Sequence, residues 1–113
     1  MKRIIAVIKP NMLDDVIFTL HKIEDFPGAT MTEVRGMGRG FQRFVQGKST
    51  YSPFGYPQQI RIEIVCLDDQ AEEIISTIEK SARTGKSGDG KIFISPIEEA
   101  VRIRTGQRGN AVI

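Results

Sequence analysis

With 113 residues, 40% of them apolar and 27% charged, the chain fits a single soluble domain that buries roughly two-thirds of its unfolded surface. A net charge of +2 is too small to argue for nucleic acid. A lone cysteine, Cys66, excludes an intrachain disulfide and a multi-cysteine zinc site, and a lone histidine, His21, leaves no credible metal set.

The first element is an Ile/Val-rich strand from Lys2 to Ile8, stopped by Pro10. Its apolar run, Ile4 to Ile8, is too short to span a membrane, so no leader or spanning segment is expected and the setting is cytoplasmic. Asn11 is placed to cap a helix, with Asp14 in its first turn and Leu13, Val16, Ile17 and Leu20 at helical spacing. That helix should fade near Asp25, before Phe26-Pro27-Gly28. Thr30 to Val34 is β-prone and runs into Gly36-Met37-Gly38-Arg39-Gly40. From Gln59 to Leu67, Ile60, Ile62 and Ile64 alternate with Arg61 and Glu63, which is the pattern of a half-buried strand. Cys66 falls in this apolar run and reads as a small buried hydrophobe. Asp68 or Asp69 is placed to cap a second helix with an apolar stripe of Ala71, Ile74, Ile75, Ile78 and Ala82. Lys91 to Ser95 forms the last strand, ended by Pro96.

This order, strand-helix-strand twice over, gives a ferredoxin-like βαββαβ sandwich of the α+β class, with both helices on one face of an antiparallel sheet. The other face would be left bare with several apolar residues on it, and association through the sheet is the simplest remedy.

Between the second and third strands lies a loop of about twenty residues, from about Gly38 to Gln58, where a short hairpin would do. It holds Phe41, Phe44, Tyr51, Phe54 and Tyr56, five of the chain's eight aromatics, in a stretch from Val34 to Ile62 that has five basic residues and no acid. Glycines and prolines interrupt any regular pattern, so mobility without a partner is expected. Aromatics beside arginines suit anchoring of a protein partner, packing on the domain's own flank, or stacking on single-stranded nucleic acid. The low net charge sets the last behind the other two.

The segment Thr84-Gly85-Lys86-Ser87-Gly88-Asp89-Gly90-Lys91 offers backbone N–H groups and ammonium charge for an anion. It lacks the first glycine of a Walker A pattern, where Lys80 stands. Farther on, alternation in Arg102-Ile103-Arg104-Thr105-Gly106 places two guanidinium forks on one side of an extended segment, suited to polyphosphate. A solvated turn followed by a basic tail has the same spacing, so the loop alone is a weak motif.

Together the blocks are more specific. Ile8-Lys9-Pro10, Met31 to Gly36, Thr84 to Phe93 and Val101 to Gly106 resemble the PII signal-transduction family, and the resemblance runs from Met1 to Ile113. It implies one PII-like domain over 1–113 and a homotrimer with adenine nucleotide, ATP or ADP, bound in clefts between subunits. By that resemblance the T-loop spans about 38–58, the B-loop about 84–91 and the C-loop about 101–109. Val7 and Val65 would flank the adenine and ribose, with Gly36, Gly38 and Arg39 at the base of the T-loop. Gly88, Asp89, Gly90 and Lys91 would cradle the phosphates, while Thr30, Glu63, Arg102 and Arg104 would come from the neighbouring subunit. The residues themselves read Asp89 as shaping its loop rather than as an in-line base, so a nucleotide hydrolase is the lesser alternative. A metal- or anion-binding trimer with a vestigial nucleotide site is another, and intact Lys91, Arg102 and Arg104 oppose it.

The resemblance also implies a regulatory role: the ATP/ADP balance sets the T-loop, which docks on a transporter, at a membrane where that is the partner, or on an enzyme. Arg43, Phe44, Tyr51 and Phe54 are the expected docking residues, and no nucleic acid is expected. Magnesium would accompany ATP. The family's usual glutamine after GxGR is Gly40 here, with Gln42 nearby, and its usual lysine before the third strand is Gln58. Losing one ligand and one cation argues against 2-oxoglutarate binding. Nucleotidyl modification of Tyr51 or Tyr56 is not expected from the flanking residues. Phe26-Pro27-Gly28 with Gly36-Met37-Gly38-Arg39 resembles a divergent branch found beside heavy-metal efflux transporters.

Overall fold

The structure, a computed structural model, describes residues 1–39 and 55–113. Four strands form one antiparallel sheet: β1 (Lys2–Ile8), β2 (Thr30–Arg35), β3 (Gln58–Cys66) and β4 (Lys91–Pro96), in the order β2-β3-β1-β4. Two helices, α1 (Leu13–Leu20) and α2 (Ala71–Ala82), complete the ferredoxin-like arrangement.

Register explains the core. Ala6 lies opposite Ile62 and Ile92, and Ile4 opposite Ile64 and Ile94, so these side chains share the helix-covered face. Val16 and Leu20 of α1 and Ile74 and Ile78 of α2 close over them, and all four are buried. Cys66 is buried among them, and that burial pushes its thiol pKa up. The opposite face has rows of mixed character. Thr32, Arg61, Val7 and Lys91 make one row, and Thr30, Glu63, Ile5 and Phe93 the next. Arg61 Nη2 lies 3.4 Å from Glu63 Oε2 on that face, and Phe93 remains 56% exposed.

Both helix starts differ from the sequence expectation. Asn11 caps nothing; it sits within a 3-10 turn over Pro10–Met12 closed by the Met12 N–H to the Lys9 carbonyl at 3.1 Å. Proline fixes φ at the first turn position and so begins the helical winding before Asn11 can act as a cap. At α2 a second 3-10 turn, Asp68–Gln70, intervenes: the Leu67 N–H donates to Gln70 Oε1 at 3.0 Å, and Asp68 instead meets the Met1 amino group at 2.9 Å. Helix α1 also stops at Leu20, short of Asp25, because 3-10-type bonds from Lys22 to Thr19 and Ile23 to Leu20 tighten its end.

Ile62→Ala, at a fully buried central position, should lower unfolding free energy by about 2–5 kcal/mol. Phe18→Ala, on the exposed side of α1, should cost under about 1 kcal/mol in urea unfolding at the same protein concentration.

Candidate functional site

The 84–91 loop is held by one carboxylate. Asp89 Oδ2 accepts the Thr84 and Gly85 N–H groups, each at 2.9 Å, while Oδ1 accepts the Thr84 hydroxyl. Lys9 Nζ, just beyond β1, lies 3.0 Å from Oδ1 and also donates to Thr84 Oγ1 at 3.1 Å. The Thr84 hydroxyl foremost, then the Thr84 amide, Lys9 and the Gly85 amide, hold the Asp89 carboxyl well below the usual carboxylate range. Desolvation pulls the other way and is outweighed. The carboxylate thus faces its own loop, the shaping role read from the sequence, and its charge is matched there.

Gly90 seats the loop on the sheet. Its φ of +101° is disfavoured for other residues, and a side chain there would begin 1.7 Å from the Val7 carbonyl oxygen. Lys91 follows at once as the first residue of β4, opposite Val7 on the face free of helices, with its ammonium exposed. Val7, Asp89, Gly90 and Lys91 also line a cleft of about 340 Å³ that continues between α2 and β4 over Ile75, Ile78 and Ile92. This apolar extension was not anticipated, since it depends on how far α2 stands from an edge strand.

The other residues expected at a nucleotide fall into two groups. Gly36, Gly38 and Arg39 follow β2 at the sheet end where β3 begins, the same end as the β1–β4 junction. There the Gly36 N–H donates to the Pro57 carbonyl at 3.1 Å, and Arg35 Nη1 donates to the Tyr56 carbonyl at 3.0 Å. These bonds close the base of the long loop. Thr30 and Glu63 are Cα partners in the next row of the same face, across from Ile5 at the middle of β1, with Val65 one row beyond, opposite Arg3. The Thr30–Glu63 row therefore lies between Val7 and Val65, and Val65 is the one toward the far end of the sheet. The chain leaves β4 at that far end, six residues or roughly 17–20 Å from Lys91, and runs on to Arg102 and Arg104.

The 101–109 segment is not the extended run expected. Val101 bridges Arg108, and a turn between them carries bonds from Arg102 N to Gln107 O at 2.8 Å and Gly106 N to Arg102 O at 2.7 Å. Gly106, at φ +73°, permits that closure where alternation alone suggested a strand. Arg102 Nη1 donates to Gln107 Oε1 at 2.7 Å, Arg104 is exposed, and Ile103 between them is 99% exposed. No hydrogen bond or ion pair among the described residues joins this turn to the 84–91 loop. Gln58 opens β3 with its side chain exposed, while Gly40, Gln42, Arg43, Phe44, Tyr51 and Phe54 lie outside the described residues. Among the described residues no group of three or more His, Cys, Asp or Glu side chains could hold a metal ion, and no helix is long and apolar enough to cross a membrane.

Comparison with known proteins decides the family. The model for "Nitrogen regulatory protein P-II" matches residues 1–107. The chain belongs to the P-II family. Among curated relatives, the nitrogen regulatory protein P-II of Rhodospirillum rubrum is 44% identical over 115 residues, covering all of both chains. That of Azospirillum brasilense is 43% identical over the same span, and that of Bradyrhizobium diazoefficiens 45% identical over 111 residues, 96% of each chain. P-II proteins are signal-transduction regulators rather than enzymes, which agrees with an Asp89 whose oxygens are committed to its own loop.

Because the Asp89 pKa is lowered by folding, the clasp's contribution is present above the unfolded carboxyl value near 4 and is lost as pH falls below it. The Thr84 and Gly85 amide resonances should accordingly hold steady from neutrality to about pH 4 and move only in stronger acid. A titration of those amides centred between pH 5 and 7 would contradict the clasp.

Proposed function

We propose that this P-II protein is a homotrimer that senses ATP or ADP in the clefts between its subunits and passes the state to a protein partner through the 38–58 loop. The observation that carries the reading is the division of the expected contacts between the two ends of the sheet. Lys91, Gly88 and Gly90 stand at one end with the base of the long loop; Thr30 and Glu63 lie one row in from Lys91, and the chain leaves β4 for the arginine segment at the other end. No hydrogen bond or ion pair among the described residues joins Arg102 or Arg104 to Lys91 within one protomer, and a neighbour docked on the open sheet face could bring them there. Burying Ile5, Val7 and Phe93 of that face supplies the driving force for assembly. Three cations on one polyphosphate offset most of its charge, and the loop's own acid adds little repulsion because four donors hold it.

Nucleotide would act on the long loop through its base. Gly38 and Arg39 sit both beside the phosphate end of the sheet and at the start of the loop, so a ligand there biases where the loop leaves. A difference of ~1–3 kcal/mol between ATP and ADP suffices for such a switch. Arg43, Phe44, Tyr51 and Phe54 then carry the contact to a transporter or enzyme, at a membrane where the partner is a transporter. Magnesium would accompany ATP.

Lys91→Ala and Arg102→Ala should each weaken ADP binding by roughly 1.5–3 kcal/mol in calorimetry. Unchanged affinity in both would remove the phosphate assignment. Titration of 2-oxoglutarate with magnesium and ATP should give no heat at micromolar concentration, since Gln58 supplies no cation. A clear signal would show that other groups replace the missing ligands.

A further inference from the structure

Lys9 is absent from the residues expected to meet nucleotide, yet it makes the most far-reaching side-chain contacts of the phosphate loop. It follows β1 directly; its side chain is about a quarter exposed, and its ammonium binds both Asp89 Oδ1 at 3.0 Å and Thr84 Oγ1 at 3.1 Å, the latter 75 positions away. The stem follows the loop as well, with Cε 3.4 Å from where a side chain on Gly88 would begin. Thr84 Oγ1 is a junction that donates to Asp89 and accepts from Lys9 Nζ and from the Lys86 N–H at 3.2 Å. The remaining partners of Asp89, the Thr84 and Gly85 amides and the Thr84 hydroxyl, belong to the loop itself. Among the described residues, Lys9 is thus the side chain that ties this internal clasp to the sheet.

We infer that Lys9 is a positioning residue for nucleotide: by pinning Asp89 and Thr84 to the end of β1, it holds Gly88 to Lys91 in the shape that receives phosphate, without touching the phosphate. The inference rests on the phosphate reading of this loop given above. Its physical basis is preorganisation. A glycine-rich loop left untied loses conformational freedom when an anion orders its amides, and a tie made beforehand removes that cost from binding. Two of the three ammonium donors of Lys9 are already taken by Asp89 and Thr84, so its charge is spent on the loop rather than offered freely to a phosphate. A merely solvated lysine would not converge on two partners of one loop.

The test compares Lys9→Gln, Lys9→Arg, Asp89→Asn, the Lys9→Gln/Asp89→Asn double variant and Lys91→Ala, with ADP as probe. Two quantities are read: ADP affinity by calorimetry, and amide exchange of Thr84 and Gly85 by NMR without nucleotide. Lys9→Gln should weaken ADP about tenfold and speed the two amides at least about threefold, and Lys9→Arg should restore both. The double variant should bind ADP within about threefold of the weaker single variant, because both substitutions break one tie. Unchanged amide exchange in Lys9→Gln, or losses that multiply in the double variant, would make Lys9 a direct ligand and overturn the proposal. Full ADP affinity in Lys9→Gln while Lys91→Ala loses binding would overturn it too. Full affinity in both would overturn the phosphate reading of the loop, and the positioning role with it.

Discussion

The close seating of Gly90 on the Val7 carbonyl is the constraint on which the candidate site depends. It joins a glycine-rich loop to the end of an inner strand of the sheet at a distance that leaves no room for a side chain. From that seat Lys91 starts the edge strand and Asp89 turns inward to gather the amides of Thr84 and Gly85. Loop, cation and sheet end are then one mechanical unit. A loop shaped this way by an internal carboxylate does not need the P-loop's first glycine.

The sheet also sets what one protomer can and cannot assemble. Antiparallel strands six to nine residues long separate their two ends by more than a nucleotide's phosphates can bridge. On the proposed reading each end carries part of the positive charge for one nucleotide. An uncovered face on which Ile5, Val7 and Phe93 sit among charged residues lies between them. In the proposed trimer, ligand binding and subunit contact would be one event, and nucleotide would be read out as a change of surface at the loop base.

Much of the fold was legible in the sequence because the two periodicities are clean. Ile60, Ile62 and Ile64 alternate without a break, and Ala71, Ile74, Ile78 and Ala82 keep a helical stripe, so these elements emerged within a residue or two. Errors arose where a short turn competed with a propensity. Pro10 started a 3-10 turn ahead of Asn11, Gln70 replaced the aspartates at the next helix start, and Gly106 folded the arginine segment that alternation made extended. The anion loop was visible as glycine and lysine content, whereas its tie to Lys9 spans 75 positions and leaves no local signal. The cleft along α2 was equally invisible, being a property of how far the helix stands from the edge strand. Val65 was grouped with Val7 by family likeness, and strand register sets them two rows apart.

The central claim is that each nucleotide site takes Lys91 from one subunit and Arg102 from another. Subunit mixing tests it most directly. Lys91→Ala and Arg102→Ala chains, each poor at binding ADP alone, are unfolded together, refolded as mixed assemblies confirmed by native mass spectrometry, and titrated with ADP. Every mixed pair in one orientation rebuilds an intact site, so roughly one site in four should regain wild-type affinity under random mixing. If the mixed assemblies bind no better than either parent, the two residues do not complete one site across a subunit boundary.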